Sequence, residues 1–338
     1  MFKMVNIKFI SILLVLALIF SIAGCAAGSK ETPKVSAPQE TEKVSLISSW
    51  TPSGAVWYLY GAAAMGEIQK KVPGLNITVQ ESAGSGENMV KMSEKTVDIG
   101  LVNIGEDYAA YTGKSATFKD KPAKDLRLMA AICDSKWQFV VTKESGIKTI
   151  RDLQGKKFNA GPIGGGSETA TMKILEMFGI KPDYYRATAA DAVEAVKDGR
   201  IVGFTYRGQG SSMISELNAV RPIRLISLTD DEMKQIVENF PGIQAAKIKA
   251  GTYKDVDDTN TISVWAAIAI NKDVSEELVY KMTKAYWESL DEIAKTMPYV
   301  KEATPKKTVE YSVLPLHAGA IKYYRELGIN VPDKLIVD

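Results

Sequence analysis

Three segments rich in glycine and hydroxyl side chains carry the residues best suited to meeting a ligand. They are Trp50-Thr51-Pro52-Ser53-Gly54, Ser82-Ala83-Gly84-Ser85-Gly86-Glu87-Asn88, and Gly161-Pro162-Ile163-Gly164-Gly165-Gly166-Ser167-Glu168-Thr169. Glycine lets a ligand approach the backbone closely, and serine and threonine hydroxyls rotate to donate or accept. Ser53, Ser82, Ser85, Ser167 and Thr169 are therefore candidate contacts. Arg207 could clamp a carboxylate through two parallel hydrogen bonds, and Asn103 adds an amide. Asp134 would repel an acid but could hold an ammonium group. Among Trp50, Trp57, Tyr58 and Tyr60, the pair Trp57 and Tyr60 share a helical face, which leaves Tyr58 as the candidate cleft residue. Trp137 and Tyr206 are candidates for an apolar wall. The competing reading is that the hydroxyls only cap helices and that Arg207 sits in solvent.

The same inventory limits catalysis. The chain has one histidine, His317, and two cysteines, Cys25 and Cys133. A Cys/His zinc site cannot be built from so few groups beyond the leader. No Ser-x-x-Lys or Gly-x-Ser-x-Gly pattern sits at a suitable turn, and a Ser-His-Asp hydrolase would have to recruit His317. Cys133 reads as a small core residue. The third segment lacks the Gly-Lys-Ser/Thr ending of a phosphate loop and the Rossmann glycine spacing. No cofactor and no catalytic residue are expected.

The elements that must position these residues alternate. Strand-like runs at 44–49, 77–80 and 97–102 are interleaved with helical patterns at 55–71 and up to 92. Further strands are expected at 126–132, 138–142, 157–160, 201–206, 223–227 and 261–270. Helices are expected up to 178 and at 189–198, 211–218, 276–296 and 317–327. Such alternation implies parallel βαβ units. Each glycine-bearing segment follows a strand and opens a helix, which is where open α/β sheets bind ligands. Free helix N–H groups and the helix dipole favour an anion there.

The chain has 338 residues, with 42 basic and 40 acidic side chains. Two of the lysines, Lys3 and Lys8, precede an apolar run from 9 to 22, so the remainder is formally balanced. No basic stretch points to nucleic acid. The apolar run is shorter than the roughly 20 residues of a spanning helix and has the form of a secretory signal. It ends in Ile22-Ala23-Gly24-Cys25, which resembles the lipobox of bacterial lipoproteins and implies acylation of Cys25. Residues 26–43 are polar, small and proline-bearing, a disordered tether by composition.

The body resembles the TAXI family, the extracytoplasmic receptors of one branch of the TRAP transporters. The segments that carry the likeness come in order. They are 81–88, Val97-Asp98-Ile99-Gly100-Leu101-Val102, 145–156, Gly164-Gly165-Gly166-Ser167-Glu168-Thr169, and Leu314-Pro315-Leu316-His317-Ala318-Gly319-Ala320 with Tyr323-Tyr324-Arg325-Glu326. The resemblance implies an α/β type II periplasmic-binding-protein fold, two α/β lobes joined by two hinge strands near 139–141 and 266–269. It implies a signal peptide at 1–24, a tether at 25–43, one lobe at 44–142 and 264–338, and a second at 143–263. It also implies a small carboxylate ligand, a glutamate-like amino acid or a dicarboxylate, held in the cleft by hinge closure. The partners it implies are a TRAP-type membrane permease and the membrane itself, through the lipid on Cys25. The chain departs from the family at Trp50-Thr51-Pro52-Ser53, where more glycine is usual, at Ala318 in place of proline, and in the polar character of 203–209. The rival readings are a lipid-anchored sensor or accessory subunit and a serine hydrolase.

Overall fold

Short runs of β-branched and aliphatic residues, each closed by glycine, proline or a polar turn, become the strands. The computed structural model describes residues 43–337 except Gly54 and Gln209. The expected signal peptide, Cys25 and the expected tether up to residue 42 lie outside the described residues. The first series comprises β1 (Val44–Ser49), α1 (Val56–Lys71), β2 (Leu75–Gln80), α2 (Ser85–Ser93), β3 (Ile99–Asn103) and α3 (Glu106–Tyr111), leading into β4 (Leu126–Thr142). The second comprises β5 (Lys157–Asn159), α4 (Gly166–Met177), β6 (Asp183–Tyr184), α5 (Ala189–Lys197), β7 (Gly203–Gly208), α6 (Ser212–Val220), β8 (Ile223–Leu225), α7 (Asp230–Asn239) and β9 (Ile243–Ile248). β10 (Thr259–Asn271) returns to the first half, followed by α8 (Glu276–Glu288), α9 (Leu290–Ile293), α10 (Pro305–Tyr311) and α11 (Ala318–Glu326).

The strands join in the order β2-β1-β3-β10-β4-β7-β5-β6, with β8 also on β4 and β9 also on β10. β1 is parallel to β2 and β3, and β5 is parallel to β6 and β7, as βαβ units require. β4 and β10 are antiparallel to their neighbours and to each other, and they run through both halves. Helices cover both faces. α1, α8 and α9 lie over Ile132, Ala266, Ile268 and Ile270, while α2, α10 and α11 lie over Leu128, Ala131, Ala267 and Ala269. The buried Tyr60 and Tyr286 hydroxyls meet at 2.6 Å and tie α1 to α8, a bond worth about 1 kcal/mol net. Gly61 admits the Trp50 ring, because a Cβ there would collide with the indole. The packing of a fully buried tryptophan offsets the helix cost of glycine, about 0.5–1 kcal/mol.

Three expectations change. The runs at 126–132 and 138–142 are one strand, 17 residues long. The polar stretch Asp134-Ser135-Lys136 disguises its continuity, because those residues pass between the two halves. The helix expected over 276–296 breaks at Ser289 into α8 and α9. The crossing strands are the expected pair, but the crossing is displaced. Phe139–Val141 already pairs with β7, and Ala266–Ile270 pairs with β3. β10 exchanges β9 for β3 at Trp265, and β4 reaches β7 at Lys136. The change of partners therefore sits at 133–137 and 264–266.

Candidate functional site

α1, α2, α3, α4 and α6 follow the carboxyl ends of β1, β2, β3, β5 and β7, and no side chain caps any of them. The other helices differ. Thr188, Thr229, Ser275, Thr304 and His317 cap α5, α7, α8, α10 and α11 through side-chain acceptors. α9, which continues directly from α8, is the exception among them. Uncapped first-turn N–H groups need partners from elsewhere. The hydroxyls at 82–85 and 161–169 are thus not N-cap acceptors for α2 and α4.

The strand registers define which face these ends share. Partners across a ladder point to the same side, and successive residues alternate. Asn103 pairs with Ala266, Ala266 with Cys133, and Trp137 with Arg207, so Asn103, Trp137 and Arg207 face one side. Trp265 pairs with Asp134 and Ser263 with Lys136, and these face the other. Asp134 is therefore no partner for a ligand beside Arg207; it pairs with Lys136 at 2.9 Å on the far face. Tyr206, next to Arg207, also turns away and packs in the core behind β7.

On the Arg207 face, four groups converge. Arg207 pairs with Glu106, the first residue of α3, and its guanidinium lies 5.0 Å from the Trp137 ring centroid. Asn103 donates to the Ser85 hydroxyl at 3.0 Å and to the Glu106 carboxylate at 3.2 Å. The Glu106 carboxylate also lies directly against Gly166, the first residue of α4. Trp137 is buried, with its indole N–H donating to Thr171 of α4 at 3.0 Å, so the floor beneath Arg207 is fixed. Asp107, beside Glu106, is fully buried, and neither carboxylate oxygen has a hydrogen-bond partner of good geometry. Burial holds its pKa well above the usual carboxylate range, and the neighbouring Glu106 charge pushes the same way.

The structure brings some of the expected contacts together and sets others aside. Ser85, Asn103 and Arg207 lie in one network, linked through Glu106. Ser167 is buried at the start of α4 near Gly161. Ser82 is buried in its own turn, donating to the Trp50 carbonyl and accepting from the Gly84 N–H at 3.0 Å. Ser53 is exposed and serves Glu81, whose pKa its hydroxyl, first, and its backbone N–H lower. Tyr58 packs against the core under α1, and Thr169 faces solvent. Glu168 holds the glycine-rich loop from within, pairing with Arg186 through two bonds of 2.8 and 2.9 Å and accepting from the Gly164 N–H at 2.8 Å. Glu106 is the residue that sequence reasoning missed. Its signal was its place, three residues beyond Asn103 at the end of a strand. His317 caps α11 by accepting from the Gly319 N–H at 3.2 Å, away from this network. Cys133 is buried, and burial pushes its thiol pKa up. On the far face a cavity of 160 Å³ lies between Asp134, Lys136, Trp265, Glu302, Lys307 and Tyr311.

Residues 51–328 match the NMT1-like family. The chain belongs to the NMT1-like family. The structure of a TctC solute-binding protein from Polaromonas is similar at a TM-score of 0.51, with 14% identity over 77% of this chain and 88% of that one. A TRAP periplasmic solute-binding protein from Sulfitobacter, solved with bound β-D-galacturonate, is similar at a TM-score of 0.46, with 13% identity over 86% and 90%. A periplasmic sulfonate-binding protein from Methylobacillus flagellatus is similar at 0.49, with 15% identity over 84% and 85%. The fold of this NMT1-like chain is thus the α/β fold of type II solute-binding proteins, two lobes joined by crossing strands. No helix among the described residues is long and apolar enough to cross a membrane.

Proposed function

We propose that this protein is an extracytoplasmic receptor of the TAXI branch of TRAP transporters, which captures a small carboxylate between its lobes and passes it to a membrane permease. The observation that carries the reading is the set of uncapped helix starts, of which those of α2, α3 and α4 meet Arg207 through Ser85, Asn103, Glu106 and Gly166. Two of them, at α2 and α4, open on glycine and belong to opposite lobes. A carboxylate seated there would meet first-turn N–H groups from both lobes and the Arg207 fork. Each helix end adds about 0.3–1 kcal/mol, more where partly buried. A ligand that touches both lobes favours the closed form; one that touches a single lobe does not shift the balance. Residues 44–142 with 264–338 form one lobe in this reading and 143–263 the other, with β4 and β10 as the hinge. Of the expected contacts, Ser85, Asn103, Ser167 and Arg207 are retained as ligand residues. Ser53, Tyr58, Ser82 and Thr169 support or border the site. The leader directs export, acylated Cys25 anchors the chain to the cell membrane, and no catalytic step is assigned. A thermal-shift screen against amino acids and mono- and dicarboxylates tests this directly. A ligand at 100 times its Kd stabilises the native state by about 2.7 kcal/mol. A shift with a glutamate-like acid or a dicarboxylate is expected; silence across all acids overturns the ligand class.

A further inference from the structure

The carboxylate position beside Arg207 already holds a carboxylate, and it belongs to the protein. Glu106 stands at the start of α3, in the lobe that carries β1–β3. Its partners Arg207 and Gly166 belong to the other lobe. The Glu106 side chain is 23% exposed and that of Arg207 11%, so the pair is largely out of water and weakly screened. A second contact spans the lobes next to it. A Cβ on Gly105 would stand 2.8 Å from the Pro241 carbonyl oxygen, and one on Gly242 would stand 2.6 Å from the Gly105 Cα. Two glycines thus bring backbone against backbone between the lobes, immediately before the residue that reaches across. Asn103 steadies the carboxylate from its own lobe at 3.2 Å. The arrangement supplies each feature a bound carboxylate would supply: contact with both lobes, an ion pair to Arg207, and a seat at the start of α4.

We propose that Glu106 is an internal stand-in for the ligand, a latch that closes the lobes in the ligand-free protein and is displaced when a ligand carboxylate takes Arg207. This rests on the cleft reading above, and it adds that the free protein is closed rather than open. Binding is then an exchange of one carboxylate for another, and the latch lowers affinity by the free energy of its own ion pair.

The test needs no ligand, so its failure is distinct from failure of the ligand class. Spin labels at Glu94→Cys and Lys181→Cys, both exposed and in opposite lobes, report the interlobe distance. The background carries Cys25→Ser, and Cys133 is buried. The wild-type chain is expected to give one short, narrow distance distribution. Glu106→Gln, which keeps an amide beside Asn103, should lengthen and broaden it. Arg207→Gln should do the same, and the double variant should go no further, because the two residues act as a pair. A wild-type distribution as long and broad as that of Glu106→Gln overturns the proposal. So does a short distance that survives both substitutions in protein whose circular dichroism is native.

Discussion

The helix starts of this molecule fall into two sets. α5, α7, α8, α10 and α11 begin with a threonine, serine or histidine whose side chain accepts from the first turn. α1, α2, α3, α4 and α6 begin with alanine, glycine or a serine whose hydroxyl serves Tyr206 instead of the first turn, and each follows the carboxyl end of a strand. The first set is finished; the second leaves donors open. Unsatisfied groups of other kinds lie near the second set as well, among them the Asp107 carboxylate and the buried hydroxyls of Ser49 and Thr51. Polar groups left open cost stability.

The largest effect should come from removing the only arginine in the network. Arg207→Ala is expected to cost about 2 kcal/mol or more in ligand binding, read by calorimetric titration with the best acid from the screen. Next in size, Asp107→Asn should stabilise the free protein. The folded carboxyl keeps its proton above the unfolded value of about 3.9, so the unfolded chain loses its proton first and stability falls as pH rises through that window. The variant removes that loss. Melting curves should show a gain of about 2–4 °C per kcal/mol recovered at pH 7.5, shrinking toward zero below about pH 4.

Smaller effects separate the two sets of helix starts. Thr229→Ala removes the side-chain half of a capping box at α7, leaving the residue's own N–H on the Glu232 carboxylate, and should destabilise by about 1 kcal/mol without altering ligand affinity, as melting and titration would report. Ala55→Ser adds a cap where α1 has none. It should stabilise the fold by about 0.5–1 kcal/mol and weaken ligand binding a few-fold, because the new hydroxyl competes for the same N–H groups. If both substitutions move stability alone, the sets do not differ in function.

Much of the scaffold was legible from sequence. The alternation of apolar runs with glycine-closed helical patterns located β1, α1, β7 and α11 to within a few residues. The second segment, Ser82 to Asn88, reads directly as a strand-to-helix turn. The limits had physical causes. β4 is polar at Asp134, Ser135 and Lys136 because it bridges two lobes, so periodicity split it in two. Ser82 looks like a ligand contact by type, but its hydroxyl is consumed by the Trp50 carbonyl, a pairing 32 residues apart that no local pattern reveals. Glu106 carries no local mark in the sequence that sets it apart from other loop acids. Its role depends on Arg207, 101 residues away, and on Gly166 across the cleft. Asp134, which follows a strand-like run much as Asn103 does, faces the opposite side because of a one-residue difference in parity along β4.

Backbone amide NMR on the labelled protein reads directly where a ligand carboxylate sits. Titration with the acid that gives the largest thermal shift should perturb the amides at 85–87, 166–168 and 207, leaving the capped first turns at 230–232 and 276–278 unmoved. Perturbation centred instead on Lys136, Trp265 and Lys307, around the 160 Å³ cavity on the far face, would contradict it and move the site to the other side of the crossing strands.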